Sequence, residues 1–248
     1  MQSLLEQYEY GAGYDEMFQA PGVPRAHCRA VFEALCGLTE ADIIEARQRA
    51  DLAFVDLGIT FTVYSESEGI ERIFPFDLVP RIIAAAEWRM VEQGLKQRLL
   101  ALNAFLQDVY NEGKIIAAGL IPGEAVYSSP NFRPEMRGFT PPSGAWIHIA
   151  GIDLVRDADG TIYVLEDNAR TPSGVSYVLQ NRSISTRILP RLFERSDVVP
   201  VGDYANRLHA AVRACFGPDP AVVLTPGMYN SAYFEHSFLA KQMGVQLV

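Results

Sequence analysis

The 248-residue chain is close to half apolar and carries a formal net charge of −9. That apolar share suffices for a sizeable core in one large domain or two small ones. The acidic balance excludes a protein that broadly neutralises nucleic-acid phosphates, and no stretch approaches the length of a membrane-spanning helix, so neither nucleic acid nor membrane is an expected partner.

Cys28, Cys36 and Cys215 are too scattered for a metal cluster, and so few thiols fit a reducing, cytoplasmic setting. The first eighteen residues contain acids and no long apolar run, unlike a secretory signal. Residues 1–24 read as an irregular arm; Gly11-Ala12-Gly13 lacks the preceding strand and third glycine of a dinucleotide fingerprint. From Arg25, an apolar stripe of Cys28, Val31, Phe32 and Leu35 predicts a helix ending near Gly37. Thr39 and Asp42 form a capping-box pattern for a helix over 40–57. Ile59–Tyr64 alternates as a strand does, with Ile70–Phe74 as its hairpin partner. Val91, Leu95, Leu99, Leu102, Leu106 and Val109, widened by Phe105, predict a core helix over 87–111. Short helical pieces follow Gly113, with Pro122 at a first helical position. Residues 128–145 are a Pro- and Gly-rich loop in which Arg133 and Arg137 flank Glu135.

The most informative stretch comes next. Apolar runs over 147–156 and 161–168 flank Asp157-Ala158-Asp159-Gly160, which suits a four-residue hairpin loop with Gly160 left-handed. Such a loop pairs Arg156 with Thr161, Gly151 with Glu166 and Asp153 with Val164. Strand alternation then puts Ile147, Ile149, Gly151 and Asp153 on one face, together with Ile162, Val164, Glu166 and Asn168. Asp153 and Glu166 become diagonal neighbours, with Asn168 next outward and room left by Gly151. Two carboxylates and an amide oxygen suit a hard cation such as magnesium. A three-residue loop with a bulge would slip the register and separate Asp153 from Glu166, and the pattern also fits a hairpin whose polar face is simply solvated.

Beyond the hairpin, small residues from Ala169 to Tyr177 allow backbone N–H groups to approach an anion, with Arg170 adding charge; the segment also reads as a tight loop with Ser176 capping the next helix. That helix, over 177–195, should break at Pro190. Asp203 caps a helix over 204–216 with Leu208, Ala211, Val212 and Cys215 inward. Strands at Ala221–Leu224 and Val245–Val248 flank a helix from a Ser231 cap to Met243, a β-α-β unit. His148 reads as packed on the strand face opposite Asp153. No HExxH string, P-loop or nucleophile-and-base arrangement is present.

Asp153, Glu166 thirteen residues later and Asn168 two after that resemble the metal-binding pattern of ATP-grasp ligases. The longer string GIDLVRDADGTIYVLEDNARTPSGVSYVLQNR looks like the circularly permuted ATP-grasp family, relatives of glutathionylspermidine synthase. ERIFPFD, LKQRLLALNAFLQDVY, FRPEM and TPGMYNSAYFEHSFLAKQMG are similar to that family too, so the resemblance covers nearly the whole chain. It implies a mixed α/β fold: a permuted ATP-grasp-like part over 1–218 with an antiparallel metal-site hairpin, then the start of a Rossmann-like layer over 219–248. It further implies a carboxylate–amine ligase using ATP and Mg2+ through an acyl phosphate, with small-molecule or peptide carboxylates and amines as substrates. Asp153, Glu166 and Asn168 would be metal ligands. Arg170 and Ser173 would hold the acceptor or the transferred phosphate, with Gly174 and Arg133 toward the cofactor. Family members continue for roughly as long again, and their nucleotide-gripping lysines lie in that further part. Lys96, Lys114 and Lys241 sit in no glycine-rich loop here, so a C-terminal segment of the same protein is expected to complete the site. Two other readings stand beside this one: a non-catalytic module that keeps the hairpin, and a metal-dependent ATP hydrolase.

Overall fold

The computed structural model describes residues 5, 8–65, 68–73, 75–194, 196–217 and 219–248. The N-terminal arm folds into a small hairpin, β1 (Phe18–Ala20) and β2 (Val23–Pro24), turning at Gly22 with φ +71°. Asp15 organises it: the carboxylate accepts the N–H groups of Met17 (2.8 Å) and Phe18 (2.7 Å) and the Tyr8 hydroxyl (2.6 Å). Burial pushes the Asp15 carboxyl up, but these donors together hold it below its ordinary value.

After a 3-10 turn at Ala26–Cys28 comes α1 (Arg29–Cys36), then α2 (Glu40–Asp56). The capping box of α2 is formed: Thr39 Oγ1 accepts the N–H of Asp42 (3.2 Å) and the Asp42 carboxylate accepts that of Thr39 (2.7 Å). Ala46, Ala50 and Phe54 make its buried stripe. β3 (Thr60–Ser65) and β4 (Glu68–Ile73) pair antiparallel in unbroken register, from Thr60 with Ile73 to Ser65 with Glu68; Phe74 lies outside the described residues.

α3 (Ala85–Tyr110) is 26 residues long. Its apolar stripe is less covered than a core helix requires. Val91 and Val109 are buried, whereas Leu95, Leu99, Leu102 and Leu106 are half-buried, and the polar residues Glu87 and Arg98 of this helix engage the central hairpin. α4 (Lys114–Ala117) and α5 (Gly123–Tyr127) follow, with Pro122 at the N-cap of α5, one residue before the expected place. The loop that follows is pinned by rings and not by an Arg–Glu pair. Tyr110 stacks on Phe132 and on Trp146 (centroids 4.9 Å in both cases), and the Arg137 guanidinium lies 4.8 Å from the Tyr127 ring centroid.

β5 (Gly151–Arg156) and β6 (Ile162–Asn168) form the central hairpin. Residues 147–150 are not strand, contrary to the alternation of the sequence. β6 ends at Asn168, opposite Gly151, so no partner remains for them, and the N–H groups of Trp146 and Ile147 donate to Asn103 of α3. α6 (Val175–Ile188) breaks at Leu189, and α7 (Pro190–Glu194) restarts on Pro190 itself. In α8 (Tyr204–Phe216) Ala205 is buried and Ala211 is exposed, so the inward stripe starts earlier than expected and omits Ala211.

β7 (Val222–Val223) and β8 (Gln246–Leu247) pair parallel, joined by α9 (Tyr233–Met243). The N-cap of α9 is Ala232, whose N–H donates to Asn230 (2.9 Å); Ser231 does not cap it. Among the described residues this sheet has these two strands and is not extended into a wider layer. The main core lies between α2 and α6, centred on Phe54, Ile59 and Ile184, with Phe234 of α9 packed against it. A second cluster, Val31, Leu35 and Leu192, joins α1 to α7. Among the described residues no helix is long and apolar enough to cross a membrane.

Candidate active site

The central hairpin turns more tightly than its sequence suggests. The Asp157 N–H donates to the Thr161 carbonyl (2.9 Å) and the Gly160 N–H to the Asp157 carbonyl (2.9 Å), with Gly160 at φ +90°. Only Ala158, Asp159 and Gly160 span the turn. Arg156 therefore pairs with Ile162, Val155 with Tyr163 and Leu154 with Val164, one residue from the expected register. Continued unbroken, that register would put Leu165 opposite Asp153 and send Glu166 to the other face. Instead the register shifts between Leu154 and Asp153, and Leu165 becomes the extra residue of a β-bulge. Asp153 then pairs directly with Glu166, Ile152 with Asp167 and Gly151 with Asn168.

Asp153, Glu166 and Asn168 thus lie on one exposed face, reached through a bulge and not through a four-residue loop. The expected diagonal is a direct pair, whose Cβ atoms stand about 4.5–5.5 Å apart. Ile162 and Val164, expected beside Glu166, turn inward instead. Gly151 faces Asn168, and a Cβ added there would lie 3.0 Å from Pro172 Cβ, so the room it leaves is filled by that proline. Asn168 Nδ2 donates to Glu166 Oε1 (3.1 Å), and the Asn168 amide oxygen accepts no hydrogen bond among the described residues.

The opposite face of the hairpin is fastened to α3. Arg98 makes a two-pronged contact with Asp167: Nε to Oδ1 at 2.8 Å and Nη2 to Oδ2 at 2.6 Å. At the turn end, Arg156 donates to both oxygens of Glu87 (2.7 and 2.9 Å), to Glu16 (2.8 Å) and to the Gly160 carbonyl (2.8 Å). Tyr14 lies beneath the same guanidinium, 5.0 Å from it. Hydrogen bonding from Arg156 holds the Glu87 carboxyl below its ordinary value, and Arg98 does the same for Asp167. Further along α3, Asn103 accepts the N–H groups of Trp146 (2.7 Å) and Ile147 (3.0 Å), while Gln107 accepts the Trp146 indole N–H (2.9 Å).

A cleft of about 980 Å³ opens beside the outer end of the hairpin, with Trp146, His148, Asn168, Arg170, Ser173 and Tyr204 among its walls. His148 is exposed there and not packed on a strand. The loop from Ala169 to Ser173 forms one wall and leads into α6, whose N-cap is Gly174 at φ +105°. Two of the backbone N–H groups at this helix start are already engaged. Glu235 of α9, itself buried, accepts the Gly174 N–H with both oxygens (2.8 Å each) and the Ser176 N–H with one (3.2 Å). Ser176, expected as the cap, is buried in the first turn with no partner for its hydroxyl among the described residues. Burial, and then the Glu235 charge, push the phenols of Tyr177 and Tyr204 up.

Of the residues singled out by sequence, Asn168, Arg170 and Ser173 line the cleft, and Asn168 also belongs to the carboxylate face. Asp153 and Glu166 lie outside its walls. Gly174 has its N–H taken by Glu235, so an anionic ligand there would compete with a carboxylate. Arg133 does not reach the cleft. Its N–H donates to the Tyr110 hydroxyl (3.1 Å) and its side chain to the Pro130 carbonyl (3.4 Å).

A family model for circularly permuted ATP-grasp proteins of type 2 matches residues 80–248. The chain belongs to the circularly permuted ATP-grasp type 2 family. An uncharacterized protein of Synechocystis sp. is 47% identical over 248 residues, which cover 98% of this chain and 52% of the relative. An uncharacterized protein of Mycobacterium tuberculosis is 48% identical over 246 residues, 96% of this chain and 43% of its own length. A Frankia alni protein named "Putative glutamate--cysteine ligase 2-3" is 43% identical over 252 residues, 99% of this chain and 29% of that relative. The chain thus spans about half the length, or less, of these curated relatives.

Within this ATP-grasp chain the donor set of the hairpin face is all oxygen: two paired carboxylates and an amide. That fits a hard cation of the magnesium type better than a soft one. Among the described residues no group of three or more His, Cys, Asp or Glu side chains is gathered for a metal, so any cation here would rest on two acids and the amide. Sequence reasoning passed over Arg98, Asn103, Gln107 and Glu235. Each reads as an ordinary surface position of a helix until its partner, 39 or more residues away, is known.

Proposed function

We propose that this chain is the metal-binding part of an ATP-dependent carboxylate–amine ligase. The observation that carries the reading is the direct pairing of Asp153 with Glu166, with Asn168 beside them, on the exposed face of a bulged hairpin. Like charges facing each other across a strand pair are unfavourable by themselves, and a structure retains such an arrangement where a cation offsets it. In this reading Asp153, Glu166 and Asn168 hold Mg2+, which when bound neutralises phosphate charge during phosphoryl transfer.

The residues of the cleft serve the substrates. Arg170, exposed on its wall, draws a carboxylate or phosphate by charge, and the Ser173 hydroxyl orients it. The acid's carboxylate oxygen attacks the γ-phosphorus of ATP and ADP leaves. The amine nitrogen then attacks the acyl carbon of the acyl phosphate, phosphate leaves, and the nitrogen gives up a proton. Trp146, Ile149 and Leu208 line the same cleft and give the activated acid an apolar wall. The name of the Frankia relative makes glutamate and cysteine the first pair to try.

The test is ADP release from MgATP with a panel of acids and amines, beginning with that pair, on this chain and on its full-length Synechocystis relative in parallel. Release should require both an acid and an amine. The substitution equivalent to Glu166→Gln should remove most of it while the circular dichroism spectrum is kept. Equal release without any amine would identify an ATP hydrolase instead. No release from either protein, with no MgATP binding, would identify a non-catalytic module.

A further inference from the structure

We propose that Arg98 is a positioning residue for the cation site, acting through Asp167 to hold Glu166 and Asn168 on the bulged segment of β6. The inference rests on the reading of Asp153, Glu166 and Asn168 as metal ligands. Asp167 stands between two of those ligands in sequence and turns to the other face, where Arg98 grips it with two nitrogens. A bulge is the weakest point of a ladder, since its extra residue leaves the hydrogen-bond pattern interrupted. Leu165 is 71% exposed, so its own packing does little to keep the strand from sliding back into the continuous register of the turn. Such a slip would move Glu166 to the opposite face. The Arg98–Asp167 pair opposes it, because Asp167 cannot change faces and keep both contacts.

Spacing makes this pair more than a local contact. Glu87 and Arg98 lie eleven residues apart on α3, a rise of about 16 Å at 1.5 Å per residue. The hairpin positions they fasten, Arg156 and Asp167, are four residues apart along the unbulged strand β5, from Arg156 to Ile152, the partner of Asp167, which is about 13 Å at 3.3 Å per residue, and the long arginine side chains span the difference. Helix and hairpin are joined at two separate points, Arg156–Glu87 and Arg98–Asp167. The bulged residue lies between these clamps, so both ends of the segment that contains it are held. Arg156 at the turn end is almost fully covered, with 6% of its side chain exposed, while Arg98 is 44% exposed. The turn clamp therefore behaves as a fixed anchor, and the Arg98 clamp is the adjustable one beside the ligands.

The experiment uses Mn2+ alone as the probe, followed by electron paramagnetic resonance on the wild-type chain and on Glu166→Gln, Arg98→Ala, Arg98→Lys and Asp167→Asn. Supporting residues behind metal ligands typically contribute 10- to 100-fold in affinity. Arg98→Ala should therefore weaken Mn2+ binding about 10-fold or more, and Arg98→Lys, which keeps charge without the two-pronged fork, should recover part of the loss. Ile184→Val, which loosens the distant core, is the control and should keep wild-type affinity. Should Arg98→Ala fail to fold, Asp167→Asn reads the same loss with a neutral partner in place. Wild-type affinity in folded Arg98→Ala or Asp167→Asn, with Glu166→Gln inactive in binding, would overturn the positioning role alone. Binding absent in the wild type, or unaffected by Glu166→Gln, would overturn the hairpin metal site and this inference with it.

Discussion

The α2–α6 core and the α3–hairpin contact each join a helix to a neighbour, but different forces hold them. The core is apolar and closed: Phe54, Ile59 and Ile184 are fully buried, and Phe54 meets Phe76 with ring centroids 5.2 Å apart. The hairpin contact is polar and half-open, made by Arg98–Asp167, Arg156–Glu87 and the Asn103 and Gln107 bonds. Apolar packing is non-directional and stabilises most per site. Ion pairs and hydrogen bonds contribute less net stability, but they specify register and orientation. The comparison teaches that stability and site geometry are carried by separate parts of this molecule, so each can be perturbed with limited effect on the other.

The largest effect should come from the core. Phe54→Ala removes a fully buried ring and should cost about 3–5 kcal/mol in urea unfolding. A loss below about 1 kcal/mol would mean that the core tolerates the cavity by collapsing, contrary to its close packing. Glu235→Gln tests a buried charge that joins α9 to the start of α6 beside the cleft. The amide offers one accepting oxygen where the carboxylate offers two, so Gly174 and Ser176 lose part of their pairing, at about 1–3 kcal/mol. Ultraviolet titration of the same variant should show the Tyr177 and Tyr204 phenols moving partway down, since burial, the larger cause, remains. Phenols that do not move would mean that Glu235 does not sense them.

A smaller effect is expected from pH, and it should fall mostly on the hairpin side, with the exposed cap of α2 at Asp42 the exception. Asp15, Glu87 and Asp167 all have carboxyls held below their ordinary values in the fold. A depressed folded pKa gives stability that is present above the unfolded value of about 4 and is lost as pH falls through the folded value. Hydrogen exchange should therefore show β5 and β6 loosening in acid before α6 and the buried stripe of α2, whose first turn alone carries a depressed carboxyl, Asp42, and Glu87→Gln with Asp167→Asn should flatten the hairpin's dependence. Simultaneous loosening of both regions would remove the distinction. The smallest effect is on the site face itself. Asp153→Asn removes one of two facing carboxylates and should leave the melting temperature equal to or above that of the wild type without metal. A clear fall would mean that Asp153 contributes to the fold and not to a cation site.

Much of the helical frame was legible in the sequence, because its signals are local. The Thr39–Asp42 box, the restart at Pro190 and the left-handed Gly244 behind α9 act within a turn of where they stand. The β-α-β pairing of β7 with β8 was legible for a similar reason, since short apolar strands around one helix leave few ways to pack. The strand expected over 147–150 failed because alternation shows which residues could lie in a sheet but not whether a partner strand reaches them. The exposure of α3 failed likewise: apolar spacing was visible, while the polar partners that occupy the helix, as far as 69 residues away, were not.

Residue types and spacing alone determined that two acids and an amide belong to adjacent strands of one hairpin, because an Asp-Ala-Asp-Gly turn between two apolar runs leaves little else. Only the tertiary structure decided that they share a face. The tight turn at Ala158–Gly160 by itself would have parted Asp153 from Glu166, and the bulge at Leu165 brings them back. A strand's alternation has a period of two, so a shift of one residue inverts every side chain beyond it. Whether such a shift occurs depends on what grips the strands from outside, which here is α3, through Arg98 on Asp167 and Glu87 on Arg156.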